Sequence, residues 1–252
     1  MRLSSEERRN KILHEVMNQK EVSINNLAAK FQVTTETIRK DVGFLQEKNL
    51  LAKKHGSVEL TKPFLESEFS VKEKQQMKEK NAIAEKALAF IPQNASLYLD
   101  TSTTVLQLAK LLVMRNDLTI VTNSLQISQI LATSDNQVLL AGGQFRKKSN
   151  SYVGAWTLNA LQSLNLDLGF LGCDGFSKTG PTIRSYQELE IKSTVIAHCK
   201  KNMILCDSSK IGNQGLYTFA DFQDIDMVLA ERQLTEDERK NFPDELLFYS
   251  QD

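Results

Sequence analysis

The residues best equipped for chemistry form two sets. The first is a run of hydroxyls and cations near the N-terminus: Ser23, then Thr34, Thr35 and Thr37, then Arg39 and Lys40, then Lys53, Lys54 and His55. Hydroxyls at a helix start donate to phosphates or reach base edges, and long cations one turn later reach phosphates or a guanine edge. The second set recurs from residue 100 to 210: Asp100-Thr101-Ser102-Thr103-Thr104, Asn123-Ser124, Gly142-Gly143 with Arg146, Asp174-Gly175, and Asp207-Ser208-Ser209-Lys210. Hydroxyls and glycines at helix starts leave backbone N–H groups open to an anion. Carboxylates suit sugar hydroxyls, and lysine and arginine suit phosphate. Singly, each piece also describes an ordinary helix cap, and Glu188 and Lys192, in the same stretch, have the spacing of a surface i,i+4 ion pair. Their repetition along the chain is what points to a ligand.

The first set is carried by helical patterns. Residues 5–18 place Ile12, Leu13, Val16 and Met17 on one face. Ser23 offers an N-cap for a helix with Ile24, Leu27, Ala28 and Phe31 turned inward, and a break follows at Gln32-Val33. Thr34 caps a third helix with Ile38, Val42 and Leu45 at i, i+4 and i+7. Two short helices joined by a tight turn predict a helix-turn-helix, whose second helix enters the major groove N-terminal end first. Leu50–Ala52 and Val58–Leu60 flank a Lys-Lys-His-Gly turn, which predicts a basic β-hairpin.

The second set is carried by alternation. Short apolar runs at 96–100, 118–122, 137–141, 168–172, 202–206 and 226–230 are separated by helical patterns near 103–113, 124–133, 155–163 and 187–199. That order predicts an α/β domain with a mostly parallel sheet, in which ligands bind beyond the carboxyl ends of the strands. The polar residues follow the strands. The expected division is 1–60 DNA-binding, 61–80 linker and 81–252 effector-binding.

Composition excludes several classes. The 252 residues carry 31 basic and 31 acidic side chains, so this is no globally basic coat protein. The charge is nevertheless split: residues 1–62 hold 12 Lys/Arg against 8 Asp/Glu, and residues 81–252 hold 15 against 19. The excess of cations lies where a nucleic acid is expected. No signal peptide and no membrane span are expected, which implies the cytoplasm. Cys173, Cys199 and Cys206 lack CxxC spacing and read as free thiols. His14, His55 and His198 lack metal-ligand spacing, so no metal and no cofactor are expected.

The stretch from Glu7 to Ser57 strongly resembles the winged helix of the DeoR (deoxyribose-operon repressor) family, keeping Thr37-Ile38-Arg39, Asp41 and His55-Gly56 of its pattern. Thr34 stands for the family Ser, Lys40 for its second Arg, Val42 for Leu, Lys53 for the wing Arg and Ser57 for the second Gly. Replacing Arg by Lys gives up a bidentate fork for a point charge, which suits Lys40 to a phosphate. The pieces LDTSTT, VTNS, LAGGQFRKKSNSYVG, FLGCDGF, Glu188-x-x-x-Lys192 and LCDSSK resemble the same family's sensor domain. The resemblance spans about residues 3–235 and implies a phosphorylated sugar as effector. Ser102 departs from it, standing where the family has Gly. A left-handed φ there would strain a serine.

The expectation is thus an α/β protein: an N-terminal winged helix-turn-helix and a mostly parallel domain resembling ribose-phosphate isomerases. The function it implies is a transcriptional regulator, most readily a repressor of a sugar operon, working as a homo-oligomer (dimer or tetramer) on double-stranded operator DNA. The alternative is a sugar-phosphate isomerase-like enzyme with an accessory DNA-binding head, for which Asp174, Glu188 and Lys192 would supply the chemistry. Against it, the chain has Gly172-Cys173-Asp174-Gly175 where the isomerases carry a second Asp, and no Gly-rich run after Lys192. A third reading is a constitutive DNA-binding protein whose second domain only oligomerises.

Overall fold

The structure, a computed structural model, describes residues 4–19, 21–47, 51–54, 56–60 and 69–249. The chain divides into two compact units, 1–66 and 67–252.

In the first unit α1 (Ser5–Gln19), α2 (Ile24–Phe31) and α3 (Thr35–Glu47) enclose a core of Ile12, Val16, Ile24, Leu27, Ala28, Ile38, Val42 and Leu45. Ser23 Oγ accepts the Asn26 amide at 3.1 Å and starts α2. At its other end Gln32 turns left-handed (φ 53°), and the amides of Gln32 and Val33 return to Ala29 and Ala28. This Schellman closure stops α2 and sets the turn into α3. β2 (Leu51–Lys54) and β3 (Ser57–Leu60) form the expected hairpin, with Gly56 at φ +77° in the turn. The hairpin gains a third strand, β1 (Glu21–Ser23), antiparallel to β3.

The second unit begins earlier than the sequence suggested. Residues 69–80, expected to be linker, form α4 (Phe69–Glu73) and open α5 (Met77–Leu88), and Phe69 and Lys80 are buried. Residues 61–68 lie outside the described residues. There follow β4 (Ser96–Leu99), α6 (Thr103–Leu112), β5 (Thr119–Thr122), α7 (Leu125–Leu131), β6 (Gln137–Leu140), the hairpin β7 (Gln144–Arg146) and β8 (Ser151–Val153), and α8 (Ala155–Gln162). The chain continues with β9 (Leu166–Leu171), β10 (Gly175–Phe176), β11 (Pro181–Ile183), α9 (Tyr186–His198), β12 (Cys199–Leu205), β13 (Tyr217–Thr218), β14 (Met227–Leu229), α10 (Glu236–Arg239) and β15 (Leu247–Tyr249).

Seven strands build one sheet in the order β15-β14-β12-β9-β4-β5-β6, and each neighbouring pair is parallel. Alternation along the strands feeds two cores. Leu97, Leu99, Ile120 and Phe170 pack with α5, α6 and α7 on one side. Tyr98, Val121, Leu171 and Ile204 pack with α8 and α9 on the other. All six predicted runs are strands of this sheet. The seventh strand, β15, comes from the tail that the sequence left uninterpreted. No helix among the described residues is long and apolar enough to cross a membrane.

Candidate functional site

In the first unit, α3 presents its N-terminal end. Thr34 Oγ accepts the Thr37 amide at 3.2 Å and lies 2.9 Å from the Thr37 hydroxyl, so both are partly engaged in capping. Arg39 and Lys40 are exposed one turn on, and Arg39 stands 3.6 Å from Glu36. Lys53 and Lys54 are exposed on β2, where Lys54 is shared between Glu21 at 3.3 Å and Glu59 at 3.9 Å. His55 lies outside the described residues. Behind α3, the buried Asp41 receives Arg8 Nε at 2.6 Å and Arg9 Nε at 3.0 Å, and the Arg9 guanidinium lies 3.9 Å from the Phe44 ring centroid. These bonds fix the rotation of α3 against α1. Ser23 serves α2 as its cap.

In the second unit the carboxyl ends of β4, β5, β6, β9 and β12 share one edge of the sheet. Asp100 is its buried centre. One of its oxygens accepts the Gly172 amide at 2.9 Å and also takes Lys192 Nζ, which donates further to the Gly172 carbonyl at 2.9 Å. Lys192 is therefore a buried cation, 3% exposed, held beneath the edge by Asp100. Its i,i+4 neighbour Glu188 receives Arg146 at 3.1 Å, and Arg146 also bonds Gln187 and Ser149.

Ser102 caps α6 by accepting the Val105 amide at 3.1 Å, with φ −73°. The backbone is extended, so serine in the family's glycine place is unstrained. The tight position is opposite: a Cβ on Gly172 would stand 2.2 Å from that of Ser102. Thr103 and Thr104 are buried in the first turn of α6, where amides lack intrahelical acceptors. Thr101 is buried beside them.

Two lysines that the sequence reading missed converge on this edge. Lys72 of α4 donates to Asp174 at 2.7 Å, and Arg184 approaches the same carboxylate through its amide at 3.0 Å and its guanidinium at 3.5 Å. Burial alone would raise the Asp174 carboxyl, but Lys72 and Arg184 outweigh it and hold it below its ordinary range. Lys80 donates to the carbonyls of Lys72 at 2.5 Å and Gln75 at 2.7 Å. Burial lowers it from 10.5 to about 8, opposed by Asp207. Nothing in the local sequence separates these lysines from solvated ones.

Other predicted residues are spent within the fold. Asn123 accepts Tyr98 OH at 2.7 Å and donates to the Tyr152 carbonyl at 2.8 Å. Ser124 caps α7. Gly143 admits Thr157, whose hydroxyl would lie 2.3 Å from a Cβ there, and Gly175 admits the Asn213 carbonyl at 2.1 Å. Gly142 is exposed, and its carbonyl accepts Thr157 Oγ1 at 3.0 Å. Asp207 caps the 3₁₀ turn Ser208–Lys210, leaving its second oxygen buried without a partner. A separate cleft of about 720 Å³, lined by Lys178, Asp221, Asp226 and Leu246 among others, shares none of these residues.

A winged helix-turn-helix followed by a parallel α/β domain with a polar, partly cationic strand edge defines a DNA-binding transcriptional regulator with a sensor domain. The DeoR-like helix-turn-helix domain matches residues 8–64, and the DeoR C terminal sensor domain matches residues 75–232. The chain belongs to the DeoR family. It is 30% identical over 227 residues to the glycerol-3-phosphate regulon repressor of Escherichia coli (strain K12), covering 89% of this chain and 90% of that one. It is 27% identical over 236 residues to the putative aga operon transcriptional repressor of Escherichia coli O157:H7, covering 92% and 88%. Ribose 5 phosphate isomerase A from Neisseria gonorrhoeae aligns over 52% of each chain, with 22% identity and a TM-score of 0.38.

Proposed function

We propose that this regulator is a cytoplasmic repressor whose operator affinity is controlled by a phosphorylated sugar bound at the carboxyl edge of the second unit. The observation that carries the reading is the first turn of α6, where Thr103 and Thr104 stand beside the buried Asp100–Lys192 pair. The open amides suit a phosphate, Lys210 adds a cation, and Asp100, Asp174 and Glu188 suit hydroxyls. Relatives named as repressors of a glycerol-3-phosphate regulon and an aga operon support the repressor role. In the first unit Thr34, Thr35, Thr37 and Arg39 face DNA bases or phosphates, and Lys40, Lys53 and Lys54 follow the backbone. A homo-oligomer, dimer or tetramer, places two such heads on spaced half-sites.

The domain reads as a sensor and not an isomerase. Asp174, the candidate base, is already neutralised by Lys72 and Arg184. Turnover of a sugar phosphate that disappears in Asp174→Asn would reverse this assignment.

The test is a thermal-shift screen pairing sugars with their phosphates, repeated on Thr104→Ala. A ligand at 100 times its Kd adds about 2.7 kcal/mol of stability. The expected result is a shift with one phosphate and not its parent sugar, lost in Thr104→Ala while operator binding is kept. A response that survives the substitution moves the phosphate away from α6.

A further inference from the structure

Two thiols meet beneath the sheet edge. Cys173 follows β9 and Cys206 follows β12, neighbouring parallel strands in which Met203 is opposite Phe170 and Ile204 opposite Leu171. Carrying that register two residues further sets Cys206 opposite Cys173. Alternation agrees, because Leu171 and Ile204 face the core layer under α8 and α9, and so do Cys173 and Cys206. Neighbouring strands lie about 4.8 Å apart, inside the roughly 4.4–6.8 Å that a disulfide asks of its Cα atoms. Both thiols are free. Cys206 is 1% exposed whereas Cys173 is half-buried, so a small oxidant reaches Cys173 first.

We propose that Cys173 and Cys206 are a modification site at which a hydroperoxide closes an intramolecular disulfide. The Cys173 thiolate attacks one peroxide oxygen, the O–O bond breaks, and hydrogen peroxide yields a sulfenic acid and water. The Cys206 sulfur then attacks the Cys173 sulfur. The S–S bond forms as the S–O bond breaks, and the hydroxyl leaves with the Cys206 proton as a second water. Two thiols are oxidised by two electrons in total, and one peroxide is reduced. The neighbouring Cys173 thiol, together with burial, holds Cys206 well above the ordinary thiol range, so Cys206 does not start the reaction, and its place opposite Cys173 is what makes it the resolving thiol. Cys173 precedes Asp174 and Cys206 precedes Asp207, so the bridge ties together two loops of the strand edge. Cys199, at the far end of β12 with its thiol pushed up to about 12 by burial, is the internal bystander.

The experiment treats the reduced full-length protein with hydrogen peroxide, then denatures and alkylates it with N-ethylmaleimide. The chain has three cysteines, and the expected product carries maleimide on Cys199 alone. It also carries a 173–206 cystine, weighs two hydrogens less before alkylation, and returns to the starting state with dithiothreitol. In Cys206→Ser the reaction stops at a Cys173 sulfenic acid that dimedone captures, and in Cys173→Ser the Cys206 thiol stays alkylatable. The proposal is overturned by full alkylation of all the cysteines after peroxide, by a bridge to Cys199 or between chains, or by Cys173 sulfinic acid beside a free Cys206.

Discussion

Asp100 and Lys192 are ninety-two residues apart in sequence and share one buried bond. The spacing of Glu188 and Lys192 suggested a pair on one helix surface, and that suggestion fails because α9 turns Lys192 inward, toward the end of β9. Breaking a buried pair from one side leaves an uncompensated charge, at a cost of about 3–5 kcal/mol. Asp100→Asn should therefore lower the urea midpoint of the second unit, and adding Lys192→Met should restore most of the loss. Equal losses in the single and double variants would remove the pair from the account. Lys80 gives a pH signature. Its folded value of about 8 lies below its ordinary 10.5, so between these the unfolded chain holds more proton and stability rises with pH. The difference in unfolding free energy between the native protein and Lys80→Met should grow over that window and level off above it, and a flat difference would contradict the burial. None of these residues advertised its environment: Asp100 and Lys192 are brought together from ninety-two residues apart, and Lys80 donates to carbonyls of the two preceding turns but is buried by the fold as a whole.

At the scale of elements, the chain was easier to read. The three helices of the first unit follow from apolar spacing and two hydroxyl caps, and Gln32 ends α2 at the expected break. The six strand runs are apolar enough to be seen singly. Elements missed by the reading are short and depend on neighbours: β1 exists as the partner of β3, β15 as the partner of β14, and α4 lies beside α6. The candidate site was legible as a set of loops and not as a set of contacts: nothing in the sequence shows that Asn123 bonds Tyr98 and Tyr152 or that Ser124 caps α7. The exposed set on α3 and the wing gives a paired prediction for operator binding. Arg39→Ala should cost about 1–3 kcal/mol and relax preference at one base position. Lys53→Ala should weaken all sequences alike and flatten the slope of log K against log salt by about one unit. Titrations against operator and scrambled duplexes at several salt concentrations separate the two, and identical behaviour of the variants would refute the division between base and phosphate contacts.

For the whole molecule, the proposed control of DNA binding by effector is a coupling free energy and must be reciprocal. If the effector weakens operator binding a hundredfold, about 2.7 kcal/mol, then saturating operator should weaken effector binding by the same factor. Calorimetric titration of effector into the free protein and into the protein–operator complex measures both. Equal affinities would sever the two units functionally, whatever each binds alone.

The strand order has a consequence in time. β4 lies between β5 and β9, and its Leu97 waits for Leu168, contributed by chain made much later. At about 5–20 residues per second the two are synthesised several seconds apart. The winged helix draws its core entirely from earlier residues, with Ile12 and Val58 at its limits. On the ribosome, therefore, the DNA-reading head is complete while the central strand of the sensor still lacks a flank. A nascent chain of this protein passes through an interval in which every residue of its winged-helix core has been made and the central strand of its sensor has not yet met its second neighbour.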